Sequence, residues 1–373
     1  MKALVLGKGK SGQAAAAELR RRGCAVDFAE GYDLVVASPG VPVKSELQLG
    51  CEELKRRGWK LLAVTGSKGK SSVVKLVADA IGLAGGHAVP CGNYGRPVCD
   101  LLGETPGWAV VEVSSFQLET TTLAPDTFAA AAVLNLQEDH LDRHGSVAVY
   151  HGLKRKLLGF AREGLEGSGG LGSLEGLGGL EGLGGLARLL AGSYFDNEIL
   201  RANGVAAIAL MRAAGLDDAQ IRRAFRAFEP LPHRFQKVAE IAGVTYVDDS
   251  KATSVAALVA GVKMCAGRVR LIAGGLPKGD DPKIALPTLT ERAKKVYLIG
   301  HCAEDFSKAW AASVDCEICG TLERAVERAM REAEKGETVL LSPGTASFDQ
   351  FKSFGERGEV FARLVQKGKK TEE

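Results

Sequence analysis

The sequence predicts an α/β protein built from parallel sheets in three domains, and three observations carry that expectation. Apolar, β-branched or Leu-rich runs lead three times into a Gly-rich turn and then a helical pattern: ALVLGKGKSG at the start, KLLAVTGSKGKSS around Val64 and VRLIAGGLPKG around Ile272. Strands buried on both faces of a parallel sheet read as such continuous runs. Strand-like and helix-like stretches then alternate along the chain. Its 373 residues also suffice for two or three domains at roughly 150 residues each.

The elements follow in order. Beyond the three runs, strands are expected at Leu34–Ala37, Ala109–Val113, Ala131–Leu134, Val244–Val247, Lys295–Ile299 and Thr338–Leu341, and helices at Gln13–Arg22, Glu46–Arg57, Ser71–Leu83 and Thr321–Lys335. The second of these helices stops before Gly58 and a strand opens at Leu61. Further on, Glu229-Pro230-Leu231-Pro232 cannot continue a helix. These breaks divide the chain into 1–60, 61–229 and 230–373. Within the second domain, residues 164–185 are glycine-rich and contain LEGLGG twice in tandem. A surface loop is expected there, with a coil packed through Leu174, Leu180 and Leu186 as the alternative.

Composition excludes several classes. A net charge of +3 gives no sequence-wide reason to bind nucleic acid. The longest apolar run, Phe128 to Leu134, falls far short of the roughly 18 residues of a membrane span. Four apolar residues before Gly7 are too few for a signal-peptide core, so a cytoplasmic location is expected. The eight scattered cysteines fit reduced, buried thiols. Cys316 and Cys319 form a CxxC with no second ligand pair at zinc spacing.

The strongest local signal is Val64-Thr65-Gly66-Ser67-Lys68-Gly69-Lys70-Ser71-Ser72, between a strand and a helix. Glycines let backbone N–H groups face phosphates, Lys70 can reach the terminal phosphates, and the Ser71 hydroxyl can ligate Mg²⁺. An ordinary Gly-rich turn is the alternative. Gly7-Lys8-Gly9-Lys10-Ser11-Gly12 is a GxGxxG after a strand, with Asp27 further on. A nucleoside diphosphate fits it better than NAD, and a structural turn stays open. The stretches from Glu112 to Glu119 and from Asn135 to Asp142 sit at strand ends. Glu112 and His140 could hold a divalent ion there, or each stretch could be a helix cap or a solvated turn. Polar clusters recur at Pro232–Phe235, Asp248–Ser254 and Ala346–Phe354.

Taken together, TGSKGKSS, EVSSFQLE, NLQEDHLDRH, LPHRF, DDSKATS and SPGTASFDQFKSFGERG, in this order, resemble the Mur ligases, ATP-dependent amide-forming enzymes of peptidoglycan synthesis. SSFQLE and SFDQFKSFGERG point to the branch that adds D-glutamate to UDP-N-acetylmuramoyl-L-alanine. The resemblance implies an N-terminal Rossmann-like domain for the UDP substrate, a central P-loop ATPase-like domain and a C-terminal Rossmann-like domain for D-glutamate. It implies ATP and Mg²⁺ as cofactors and a monomer. Gly66, Ser67, Lys68, Gly69, Lys70, Ser71 and Ser72 become the ATP phosphate loop; Asn203, His233, Arg234, Asp249 and Lys251 surround ATP. Ser71, Glu112, His140 and a carbamylated Lys154 serve the metal. Gly9, Ser11, Gly12, Asn93, Ser114 and Phe116 face the UDP substrate, and Thr253, Lys278, Ser347 and Phe354 face D-glutamate. The catalytic set is Lys70, Glu112, His140, Lys154 and His233. Lys154 also has Arg155 and Lys156 beside it, and neighbouring cations with desolvation favour the neutral amine that reacts with CO₂. The family has a His-Asn pair where this chain has Ile199-Leu200, and a longer first domain. Two other classes stand beside this reading, a nucleotide-binding scaffold without turnover and a nicotinamide-dependent oxidoreductase.

Overall fold

The long apolar runs become the centres of sheets. The computed structural model describes residues 1–31, 43–137, 141–167, 184–191, 193–196 and 200–372, which form two units, Met1–Asp196 with Leu200–Phe228 and a second from Glu229 onward. The strand expected at Leu34–Ala37 and the site residue His140 lie outside the described residues.

In the first unit, β1 (Lys2–Leu6) and β2 (Ala25–Ala29) pair in parallel across α1 (Lys10–Arg21). Next come α2 (Glu46–Arg56), β3 (Lys60–Thr65), α3 (Lys70–Leu83), β4 (Ala88–Gly92), β5 (Trp108–Glu112), α4 (Ser115–Thr120) and β6 (Phe128–Val133). After them run α5 (Leu141–His144), α6 (Val147–Arg155), β7 (Ala161–Glu166), α7 (Arg201–Ala213) and α8 (Asp218–Ala227). The larger sheet is parallel throughout, in the order β4-β5-β3-β6-β7. Leu61, Ala63, Ala109, Val111 and Ala131 bury one face of it against Leu47, Cys51 and Leu54 of α2. α1 and α2 are joined by charge: the buried Glu18 carboxylate pairs with Arg22 at 2.7 Å and Arg57 at 3.2 Å, and Arg57 also reaches Glu53 at 2.6 Å.

The second unit contains β8 (Gln236–Ile241), β9 (Val244–Asp248), α9 (Val255–Met264), β10 (Val269–Gly274), α10 (Leu286–Arg292) and β11 (Ala293–Ile299). It continues through α11 (Ala303–Trp310), β12 (Cys316–Gly320), α12 (Leu322–Glu332), β13 (Thr338–Leu341) and α13 (Phe354–Glu372). The order is β12-β11-β10-β13-β9-β8, parallel apart from β8, which forms a hairpin with β9. One face packs with Leu258, Val262, Phe306 and Trp310, the other with Leu322, Val326, Phe361 and Val365. Cys316 belongs to the first of these clusters and Cys319 to the second, so the CxxC divides across the sheet and cannot chelate one ion.

The surface-loop expectation changes at both ends of the glycine-rich segment. Gly164, Leu165 and Glu166 are strand, paired with Ala131, Ala132 and Val133, and Gly184–Leu190 is a 3₁₀ turn with Leu186 and Leu190 buried. The repeat is therefore anchored at both ends. Its Leu174 and Leu180 lie outside the described residues.

Candidate phosphate and carboxylate site

In the first unit the site begins where β3 runs out. Its neighbours are β5 and β6, so the loop Gly66–Gly69 lies beside Glu112 at the end of β5 and Asn135 just past β6. The ends of central parallel strands are where open α/β sheets bind ligands. Gly69 has φ +79, and a Cβ there would lie 2.0 Å from Asn203 Nδ2; Gly66 has φ +149, and a Cβ would meet Leu134 Cβ at 2.9 Å. Both positions need glycine.

The loop is held from behind. Asn135 accepts from the Lys68 N–H at 2.9 Å and donates to the Lys68 carbonyl at 2.8 Å and to Asn203 Oδ1 at 2.9 Å. Asn203, fully buried on α7, donates to the same carbonyl at 3.1 Å. Ser67 Oγ donates to the Gln137 carbonyl and lies 3.1 Å from the Tyr150 hydroxyl. Ser72 is buried with its hydroxyl 3.3 Å from that of Tyr194. Asn203, expected to border ATP, thus braces the loop backbone.

The chemistry-bearing side chains face one another at the start of α3. Ser71 Oγ donates to Glu112 Oε2 at 2.6 Å, and Asn93 Nδ2 donates to Glu112 Oε1 at 2.7 Å. Lys70 Nζ donates to the carbonyls of Gly66 at 2.8 Å and Ser67 at 3.2 Å. Lys154, 1% exposed, donates to the Gly66 carbonyl at 3.0 Å and lies 4.5 Å from the centre of the Tyr150 ring. A hydroxyl and a carboxylate in contact at a helix start, with two ammonium groups hydrogen-bonded to the adjoining loop, form a donor set for a hard divalent cation and a polyphosphate.

Beside them, Ser114 caps α4 by a capping box with Gln117, as the helix-cap alternative anticipated, and Phe116 is 43% exposed. The GxGxxG loop starts α1 with Gly9 as its cap, and Gly12 approaches the Gly7 carbonyl too closely for a Cβ. An open groove of about 590 Å³ there is lined by Lys8, Lys10, Gln13 and Arg96 among others. Ser11 lies in the first turn of α1.

The second unit gathers its polar clusters at the corresponding strand ends. His233 Nδ1 meets Asp248 Oδ2 at 2.7 Å, and Asp249 accepts from the Phe235 N–H at 3.1 Å and the Ser342 hydroxyl at 3.0 Å. Arg234 stands between His233 and Phe235 in the turn before β8. Lys251 Nζ lies 4.0 Å over the Phe354 ring. Leu276 and Ala346 form an isolated bridge, which sets the loop carrying Lys278 beside the loop carrying the buried Ser347. Thr253 precedes the α9 cap Ser254. Arg357 was not anticipated. It is buried and donates to Ser250 Oγ at 3.0 Å and to the carbonyls of Ser250, Thr345 and Ala346. Burial pulls its guanidinium down to about 10, only partly opposed by Asp349 and Asp248. Two signals point to these residues: Asn135 lies just past a strand end, and Arg357 lies within SPGTASFDQFKSFGERG.

Comparison with known proteins agrees with this layout. The family models described as the Mur ligase middle domain and the Mur ligase glutamate ligase domain match residues 64–165 and 233–344. The chain is 33% identical over 448 aligned positions to the UDP-N-acetylmuramoylalanine--D-glutamate ligase of Acidobacterium capsulatum, covering 98% of this chain and 96% of that one. It is 35% identical to the enzyme of the same name from Methylobacillus flagellatus, covering 89% and 83%. Among solved structures, the MurF ligase of Thermotoga maritima in complex with ADP superposes with a TM-score of 0.62 at 17% identity, covering 100% of this chain and 95% of that one. The bifunctional folylpolyglutamate synthase/dihydrofolate synthase of Yersinia pestis, complexed with AMPPNP and Mn ion, does so at 0.60 and 17%, covering 96% and 100%. At that identity the two structures speak to fold alone. Matched by both family models and by near full-length relatives, the chain belongs to the Mur ligase family.

Proposed function

We propose that the chain uses ATP to join D-glutamate to the alanyl carboxylate of UDP-N-acetylmuramoyl-L-alanine, as the names of its relatives suggest. The observation that carries the reading is the Ser71–Glu112 contact beside Lys70 at the end of β3. The alanyl carboxylate oxygen attacks the γ-phosphorus of ATP, forming an acyl phosphate as the bond to ADP breaks. The amine of D-glutamate then attacks the carbonyl carbon, loses a proton, and phosphate leaves as the amide forms.

Each residue has a task in this scheme. Lys70 and the N–H groups of the loop neutralise charge that grows on the transferring phosphoryl group. Ser71 and Glu112 would hold Mg²⁺, which supplies charge neutralisation on phosphate oxygens when bound. His140 would join them. Carbamylation of Lys154, whose Nζ now donates to the Gly66 carbonyl, would add two anionic oxygens beyond that nitrogen. Asn93, Ser114 and Phe116 take the muramoyl-alanine part, and the groove along α1, with Gly9, Ser11 and Gly12, takes the UDP part. In the second unit His233, Arg234, Asp249 and Lys251 border ATP, with His233 oriented by Asp248, while Thr253, Lys278, Ser347 and Phe354 hold D-glutamate. The division into 1–60, 61–229 and 230–373, a monomeric state and a cytoplasmic location belong to the same proposal. Among the described residues no helix is long and apolar enough to cross a membrane.

The test is phosphate release from ATP with UDP-N-acetylmuramoyl-L-alanine, with D-glutamate present or omitted. Release that requires both acceptors, with the amide product identified by mass, is expected. Release indifferent to D-glutamate would overturn the acceptor assignment.

A further inference from the structure

Around α4 the first unit carries a line of three side chains that the reaction above does not use. Glu119 Oε1 lies 3.1 Å from His144 Nδ1, and His144 Nε2 lies 3.0 Å from Ser115 Oγ. Glu119 also accepts from Arg143 at 2.8 Å. The imidazole sits near two rings, Phe116 and Tyr150, each with its centre 5.4 Å away. Ser115 is 2% exposed and His144 7%.

Glu, His and Ser in that order resemble a nucleophilic triad. Burial argues otherwise, because a sealed hydroxyl meets no substrate. What a buried relay of this kind does is fix a backbone. α4 has only six residues, too few to hold a helix without packing. Ser115 stands between Ser114 and Phe116 on its first turn, while His144 comes from α5 and Tyr150 from α6. Tyr150 in turn lies 3.1 Å from Ser67 of the phosphate loop.

We propose that His144 is a positioning residue: through Ser115 and Glu119 it locks both ends of α4 onto α5 and α6, so that Ser114 and Phe116 are presented in one geometry to the sugar-nucleotide substrate. This rests on the reading that Ser114 and Phe116 contact that substrate.

The test uses the full chain and two readouts. His144→Phe keeps a ring beside Phe116 and Tyr150 but removes both nitrogens, and Ser115→Ala removes only the hydroxyl. Both should speed amide hydrogen exchange across residues 114–118 by about tenfold, and raise KM for UDP-N-acetylmuramoyl-L-alanine by about tenfold. KM for ATP and D-glutamate should stay within about twofold. Glu119→Gln retains an acceptor for the imidazole N–H and should stay closer to the parent than Glu119→Ala. Unchanged exchange across 114–118 in both variants overturns the proposal, as does an equal KM shift for all three substrates. Covalent labelling of Ser115 by a fluorophosphonate also overturns it, since the hydroxyl would then be a reachable nucleophile. Should the parent chain fail to ligate D-glutamate, the proposed function falls, while the exchange measurement alone still decides whether His144 fixes α4.

Discussion

The second unit buries two arginines in one sheet-based fold, at opposite ends of its strands. Arg270, near the start of β10, donates to Glu337 at 2.6 Å and to the Tyr297 hydroxyl at 3.0 Å. Burial pulls its guanidinium down, but those hydrogen bonds outweigh it and the net direction is up. Lys295, Glu317 and Glu332 extend the ion pairs at that end. Arg357, at the other end, donates only to a hydroxyl and carbonyls, and among the described residues no carboxylate lies within ion-pairing distance of it. A buried cation with a carboxylate partner is neutralised and serves the fold. One held by neutral groups leaves positive potential at the strand ends, where anionic ligands bind.

The largest effect that would sharpen this contrast belongs to the corresponding strand end of the first unit. Lys70→Ala should lower kcat by about a thousandfold, with little change in Tm, because the buried Gly66 carbonyl that it releases keeps its hydrogen bond from Lys154. Near-normal kcat would remove the phosphate loop from the mechanism. Arg357→Lys comes next. Lysine keeps a charge but cannot bridge Ser250, Thr345 and Ala346 together, so KM for D-glutamate should rise by about tenfold in steady-state assays. An unchanged KM would show that both arginines are structural.

At the opposite end Glu337→Ala should do the reverse. Removing the closest carboxylate of buried Arg270, with Glu332 left at 3.5 Å, should cost about 3 kcal/mol in denaturant unfolding, with substrate KM values unmoved. The smallest effect is a pH dependence in the first unit. Hydrogen bonds from Arg56 outweigh burial and, with Arg57, pull Glu53 from 4.5 to about 2. Its contribution to stability is complete above pH 4.5 and is lost as pH falls through about 2. Glu53→Gln should flatten that acid limb of a Tm-against-pH curve, and a limb of unchanged steepness would assign it to other carboxylates.

Legibility of the sequence followed burial. The runs at Val64, Ala109, Ala131, Val244, Ile272, Lys295 and Thr338 announced strands because most are flanked on both sides. The strands that went unanticipated are β2, β4, β7, β8 and β12, and each is the edge of its sheet. Edge strands are half-exposed, as in Gln236–Ile241, and carry no continuous apolar run. In the candidate site, Lys70, Ser71 and Glu112, which the structure brings together, could be singled out because the phosphate and metal chemistry expected there restricts residue type. Asn135 and Arg357 were not assigned roles. Their partners include backbone groups distant in sequence, Lys68 for the one and Ser250 for the other, and no local pattern encodes such a pairing.

The hairpin joining β8 to β9 turns through two residues, Ala242 with φ +48 and Gly243 with φ +78. It pairs Ile241 with Val244 and, after an irregularity between Lys237 and Ala239, Gln236 with Asp248. The turn therefore acts as a counter, since chain length between it and His233 sets which residue stands opposite Asp248. Adding or removing a single residue in β8 would alter that count without touching any ligand contact, and its effect would surface at the His233–Asp248 pair. Substitution within the turn is a different matter. Ala242→Gly relieves the left-handed strain of an alanine, about 1 kcal/mol, and leaves the count intact, so this corner offers a way to stabilise the unit independently of its chemistry.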